Sequence, residues 1–335
     1  MNFLKTKNWK LKTRLATQSL DTSHFFQTYG ALIALIVLFV VAAVTSDVFL
    51  KTDNLMNILR QNSYTGIIAL GLTFVIIAGG IDLSVGSMTA LVGAVVIRSL
   101  NEFSDFGVSP PLAITGAILT GIIAGAVCGV LNALLVTFGK IVPFIATLGT
   151  MSIFRSLTLY ITQAGEVKSV VDTYSHFGMG RFLEVPTPVW VFTLLAVVFS
   201  VILHAMPFGR YALSVGASER VSRYAAIPVS VIRFMTYVIC GATVGITAVL
   251  LSSRLNSVSP TTTGLYYELD AIAAVVIGGT SMSGGKGTIW GTVVGVLILG
   301  IVNNMLNMWG VSPFLQGTVK GAVILAAVLI QRPRD

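Results

Sequence analysis

Long runs without a charged side chain alternate with short basic segments along this 335-residue chain. Phe106 to Gly139, for example, contains no Asp, Glu, Lys or Arg. A helix on the surface of a water-soluble protein needs a polar face, and one that is apolar all round belongs in a core or a membrane. About 20 apolar residues cross the hydrocarbon core of a bilayer. Trimmed at Gly, Pro and charged positions, the runs predict about ten spans: 25–46, 64–80, 84–100, 112–138, 142–162, 186–206, 231–252, 269–283, 288–309 and 312–330. The spans 64–80 and 84–100 flank a glycine pair and 269–283 is short, so these are the places to expect broken or re-entrant helices. The fold class is therefore an all-α polytopic membrane protein.

Composition agrees, with 10% charged and 55% hydrophobic residues and a mean hydropathy of +0.88. The formal charge of +8 has a topological explanation. If the N-terminus is cytoplasmic, the inner segments hold Lys5, Lys7, Lys10, Lys12, Arg14, Lys140, Arg210, Arg220, Arg223, Arg233, Lys286, Arg332 and Arg334. The outer segments hold only Lys51, Arg60, Arg98, Lys168, Arg181 and Arg254. Both termini are then cytoplasmic, and the basic balance is no argument for nucleic acid. The organisation expected is a polar N-terminal arm over 1–24, a transmembrane domain over 25–330 with a cytoplasmic loop at 207–233, and a tail at 331–335. The arm does not read as a cleaved signal peptide, because it is polar for over about twenty residues before the apolar run. Cys128 and Cys240 lie inside spans and read as small packing residues.

Two segments resemble each other, as an internal repeat or as a chance match between two helices rich in Gly, Val and Leu. Gly129, Asn132, Gly139, Thr147 and Ile153 match Gly300, Asn303, Gly310, Thr318 and Ile324 at a constant offset. The match pairs span four with nine and five with ten. Units five spans long have opposite orientations, so the pattern predicts a 5+5 inverted repeat, an arrangement common in transporters.

Two stretches stand out against the apolar background. In the first, 78–87, a broken-helix motif consists of Gly79, Gly80, Asp82, Ser84 and Gly86. A carboxylate between apolar runs must be paired or wetted; Asp82 is read here first as a solvated cap of the following helix, and otherwise as an anchor of a broken helix or a pathway residue. The second, 277–288, is not a phosphate-binding loop. Lys286 is followed by Gly287 where Ser or Thr is required, and the residue five before Gly285 is Thr280. If transport is driven by ATP, the ATPase is a separate subunit. Asn132, Asn303, Asn304 and Asn307 lie within apolar helices, as interhelical glue or as lining of a polar pathway. Arg155 and Lys320 also fall inside spans, and Asp270 is expected near the outer interface.

The loop Pro207–Arg233 contains a short helix candidate, Ala217–Ala226, with Ser218 as cap, Glu219 in the first turn and Pro228 beyond the end. Val221, Tyr224 and Ile227 beside Glu219, Arg220 and Arg223 give it a half-apolar character suited to a groove on another protein or to the lipid interface.

Several stretches resemble the permease subunits of bacterial ABC importers of the ribose type: 79–87 (GGIDLSVGS), 209–216 (GRYALSVG), 267–292 (YELDAIAAVVIGGTSMSGGKGTIWGT) and 319–329 (VKGAVILAAVL). The resemblance runs from about Asn54 to Ile330. It implies a type II ABC importer-like fold in the inner membrane, working as a pair of permeases, from a second copy or a paralogue, over two cytoplasmic ATP-binding subunits. ATP and Mg would sit on those subunits, with no cofactor or metal in this chain and no catalytic residue. A periplasmic or lipid-anchored binding protein would deliver a monosaccharide. Ala217–Pro228 would be the helix that couples to the ATPase, through Ala217, Ser218, Glu219, Arg220, Val221, Arg223, Tyr224, Ile227 and Pro228. A related permease for branched-chain amino acids or nucleosides would share the architecture. An ion-coupled transporter would need carboxylates deep in spans, where only Asp82 and Asp270 come near. A membrane-embedded enzyme would need ligand or nucleophile spacing, which His24, His176 and His204 do not provide.

Overall fold

The computed structural model describes residues 29–312, 315–322 and 325; the expected arm at 1–24 and tail at 331–335 lie outside them. The helices are α1 (Tyr29–Thr45), α2 (Thr52–Ile77), α3 (Val85–Asp105), α4 (Pro110–Thr137), α5 (Pro143–Ile161), α6 (Ser175–Met179), α7 (Thr187–Ala205), α8 (Pro207–Ala217), α9 (Glu219–Tyr224), α10 (Val229–Leu255), α11 (Tyr267–Ile277) and α12 (Ile289–Met308). Among the described residues, α4, α5, α7, α10 and α12 are long and apolar enough to cross a bilayer. Residues 315–322 are helical as well, inside the last expected span.

Two-residue strands β1 (Val167–Lys168) and β4 (Ser257–Val258) pair antiparallel, and β2 (Arg181–Phe182) pairs with β3 (Val185–Pro186). They lie at one end of the bundle, while α8 and α9 lie at the other. These ends are called the β face and the α9 face.

α2 is more polar than its neighbours, yet Gly66 to Ile77 is buried on every side. It is the central post, and this is why an apolar-run criterion placed its start twelve residues late. Around it the packing has a two-fold pattern. α4 packs on α10 as α12 packs on α2, α3 on α4 as α11 on α12, and α3 on α10 as α11 on α2, with α2 against α10 on the axis. Exchanging α2, α3 and α4 with α10, α11 and α12 therefore preserves the contacts, in keeping with the repeat expected from the sequence. The repeat glycines take equivalent places: Gly129 meets the α10 backbone at Tyr237, and Gly300 meets α2 at Asn62. On α4, Gly121, Gly125 and Gly129 allow the backbone of α10 to approach at Gly241 and Gly245; van der Waals packing of this kind holds helices together in a membrane.

The short span is the main difference from the sequence expectation. α11 has 11 residues, not the fifteen of 269–283, and ends at the Gly278–Gly279 turn. Before it, 256–266 is not helical, and its path is fixed by contacts with α3. Asn101 holds the β face, donating from Nδ2 to the Lys168 carbonyl (2.9 Å) and accepting from the Val170 N–H (3.0 Å). Val258 packs on Gly93, and Gly264 lies backbone to backbone on Gly86. From Asn101 to Gly86 is about 22 Å along a helix axis, and α11 adds about 16 Å. Together, at about 38 Å, they exceed the roughly 30 Å hydrocarbon core of a bilayer. The irregular segment and the short helix thus make one crossing.

Candidate functional site

The α2–α3 break brings four polar side chains together. α3 begins at Val85 with Ser84 as its N-cap residue. Ser84 donates to Asp82 Oδ1 from its backbone N–H (2.9 Å) and its Oγ (2.6 Å). Asn132 Nδ2 donates to Asp82 Oδ2 (3.1 Å) and to Ser84 Oγ (2.8 Å), and Thr150 Oγ1 donates to Asn132 Oδ1 (2.7 Å). Tyr237 Oη donates to the Ile81 carbonyl (3.1 Å). Asp82, Ser84 and Asn132 are 0% exposed. Asp82 is therefore no solvated cap. Its carboxylate replaces water with three donors inside the protein, which is the condition for burying a charge, and it ties the start of α3 to α4 and α5. Gly79 turns the chain with a φ of +79°, and Gly80 faces the Tyr237 hydroxyl.

The α10–α11 break is pinned differently. Arg155, on α5, donates from one guanidinium nitrogen to the carbonyls of Pro260 (2.7 Å) and Thr263 (3.1 Å). Glu268 lies against Gly86. Asp270 accepts from Lys320 Nζ at 3.0 Å. Because α11 starts deep, Asp270 lies in its first turn at depth rather than near the outer interface, where the sequence reading put it.

The four asparagines do not form one pathway. Asn132 belongs to the Asp82 cluster. Asn304 exchanges hydrogen bonds with Asn54 (2.8 and 3.3 Å), tying α12 to α2. Asn307 Oδ1 accepts from Gln316 (2.8 Å). Asn303 Oδ1 is buried with no partner among the described residues. The sequence reading missed the Asn54 and Thr150 partners, since both lie in ordinary helical context and only long-range packing brings them close.

On the α9 face the expected short helix is present but shorter. Ala217 ends α8, a helix the sequence reading did not separate, and α9 spans Glu219–Tyr224. Ser218 caps it, accepting from the Val221 N–H at 3.3 Å. Arg223 donates to Glu219 Oε1 from Nη2 (2.7 Å) and Nε (3.1 Å), and Arg233 Nη2 lies 2.7 Å from Oε2. The hydrogen bond from Arg223, helped by Arg233, holds the Glu219 carboxyl below its ordinary value. Ser222 is buried and meets Ser214 Oγ at 2.9 Å, while Val221 and Tyr224 are 61% and 78% exposed. Arg220 lies over the Tyr224 ring, 5.8 Å from its centre. The chain then turns through Ala226, at a φ of +55°, and Ile227 to exposed Pro228.

Three segments meet beneath α9. Gly216 lies on the Ile77 carbonyl at the end of α2, and Gly285 lies on Ala217. The Gly285 N–H donates to the Ile77 carbonyl at 2.9 Å. The 277–288 stretch is thus a structural turn, with positive φ at Gly279, Gly284 and Gly285, and Thr288 caps α12 through the Gly291 N–H (3.0 Å). A displacement of α9 has a direct backbone route to α2 and α12.

Residues 54–328 match the family described as branched-chain amino acid transport system / permease component. A ribose import permease protein of Bacillus subtilis is 44% identical over 330 residues, covering 96% of this chain and 100% of that protein. The D-allose transport system permease protein of Escherichia coli is 35% identical, covering 92% of each chain. The L-arabinose transport system permease protein of the same organism is 33% identical, covering 94% of this chain and 93% of that one. No solved structure matches the chain. With the match running through the broken helices and the α9 loop alike, the chain belongs to this family of membrane permease components.

Proposed function

We propose that this protein is the membrane-spanning subunit of an ATP-driven, binding-protein-dependent importer of a monosaccharide, a ribose-like sugar first. The near full-length similarity to ribose, allose and arabinose permeases carries this reading. Sugars favour it over the branched-chain amino acids of the family description, because the relatives just described are named for sugars.

In this mechanism the α9 face is cytoplasmic, both termini lie on that side, and Ala217–Pro228 docks in a cleft of the ATP-binding subunit. Val221 and Tyr224 supply the apolar contact, while Glu219, Arg220 and Arg223 set the charge at the rim. ATP binding shifts the permease only by favouring one packing of the pair over the other. The junction of Gly216, Ile77 and Gly285 passes that preference from α9 to α2 and α12. A second permease copy completes the pathway, and a binding protein docks on the β face.

The test is affinity purification of the tagged chain from its native membrane, followed by D-ribose uptake in proteoliposomes containing ATP, with the sugar-binding protein of the same membrane supplied outside. A stoichiometric ATP-binding subunit with ATP-dependent uptake is the expected result. A chain that purifies without an ATPase yet takes up sugar along an ion gradient would overturn it.

A further inference from the structure

The segment between β4 and α11 is irregular backbone at membrane depth, and one side of it is open. Gly264 is pressed on Gly86 and Thr263 is buried, but Thr261, Thr262, Leu265 and Tyr266 are exposed, Tyr266 by 60%. Hydrocarbon gives polar backbone no partners. Non-helical chain is tolerated at that depth only when buried in protein or facing a water-filled cavity. The buried side is accounted for by α3 and by Arg155. The exposed side presents hydroxyls and a phenol ring.

Backbone geometry points the same way. Tyr266 sits at a φ of +63° and a ψ of +11°, a left-handed conformation that is rare for a bulky residue and is kept where surroundings impose it. It follows Gly264, also at positive φ (+68°). The two bends turn the ring outward at the point where the chain re-enters a helix. Ser259 and Thr261 share a hydroxyl–hydroxyl contact of 3.2 Å, so this edge offers both donors and acceptors. At its pseudo-symmetric counterpart, the Asp82 break, the polar side chains Asp82 and Ser84 are buried, and Gly79 is the exposed residue.

We propose that Thr261, Thr262 and Tyr266 line the sugar pathway and contact the passing monosaccharide. Neutral hydroxyls match a polyol without holding it as a charge would, and the ring offers a flat face to the C–H side of a pyranose or furanose. The assignment rests on the sugar-permease reading, but its first test needs no sugar.

Thr261→Cys and Thr262→Cys are introduced singly, since both native thiols, Cys128 and Cys240, are buried. The assembled transporter in proteoliposomes is treated with a charged methanethiosulfonate and with a lipid-soluble maleimide. Glu184→Cys on the exposed β2–β3 turn serves as the water control and Ile123→Cys, exposed on α4, as the lipid control. Labelling by the charged reagent, from either side, is expected at both positions. Labelling by the maleimide alone would place the segment against lipid, and no labelling by either would place it in a subunit contact; both overturn the proposal. The second arm measures D-ribose uptake, where Tyr266→Ala is expected to raise the apparent KM about tenfold, equivalent to a typical 1.4 kcal/mol, and Thr262→Val several-fold. Unchanged KM in both, with water access retained, would overturn sugar contact. Absence of uptake by the unaltered transporter would instead count against the sugar-permease reading, with the labelling result still standing.

Discussion

The two helix breaks are built on opposite principles. At the α2–α3 break the polar groups satisfy one another: Asp82, Ser84, Asn132 and Thr150 form a buried, mutually bonded set. At the α10–α11 break a single cation, Arg155, holds two carbonyls from one side and the other side stays exposed. A closed cluster makes a rigid joint, because each member is held by the others. A one-sided pin leaves a surface that can meet something passing. The pseudo-two-fold axis relates the two elements, and their chemistry has diverged into an anchor and an edge.

The largest effect is expected from removing a member of the closed cluster. Asn132→Leu strips Asp82 of its Oδ2 donor and Ser84 Oγ of its donor, and leaves Thr150 only the Thr147 carbonyl as acceptor. A buried polar group left without its partner costs about 1–3 kcal/mol, and more where the group is a carboxylate. Loss of monodisperse protein in detergent size-exclusion chromatography is the expected outcome, and normal yield with normal melting would show that the cluster is not an anchor. Arg155→Ala should cost less, about 0.5–1.5 kcal/mol for each of the two hydrogen bonds lost where water can take the donor's place. The expected outcome is a lowered melting temperature with residual folded protein, since water from the open side can replace part of the guanidinium. An effect equal to that of Asn132→Leu would erase the distinction between the two breaks.

Third in size for stability, though not for transport, is the α9 surface. Glu219→Lys with Arg223→Glu exchanges two exposed partners and removes the anion that Arg233 faces, and such surface pairs contribute at most about 1 kcal/mol each. Folding and insertion should be unchanged while ATP-driven uptake is lost; normal uptake with normal ATPase association would remove α9 from the coupling route. The smallest effect concerns pH. A carboxyl held below its ordinary value of 4.5 contributes stability that is fully present above that value. It is lost only as pH falls through the lowered one. Uptake normalised to ATPase activity should therefore not change on account of Glu219 between about pH 5 and 8. A titration within that window that disappears in Glu219→Gln would contradict the paired geometry.

Much of this was legible from residues alone, for identifiable reasons. Apolar runs mark α4, α7 and α12 to within about two residues because lipid imposes a composition on them. Ser218, Glu219 and Pro228 announce α9 because capping is local chemistry. Depth was not legible. Asp82 and Asp270 read as residues near span ends, and only the Gly86–Gly264 contact shows that the chain re-enters there. Nothing local marks Asn54 as the partner of Asn304, or Thr150 as that of Asn132. Nor could hydropathy find the start of α2, whose polar first turns are held by Leu55 and Ile58 against α1 and α12 and by their own side-chain bonds.

The depth of the 256–266 segment is the point on which the account turns, and a nitroxide at Leu265→Cys in a bilayer measures it. The nitroxide's relaxation by gadolinium chelated to the lipid headgroups reports distance from them whether the label faces lipid or a water-filled pathway. Leu265 adjoins the Gly86–Gly264 contact, so the label should sit more than about 10 Å inside the lipid phosphate level. A label at headgroup level would contradict the re-entrant crossing, and with it the contrast between a closed anchor and an open edge.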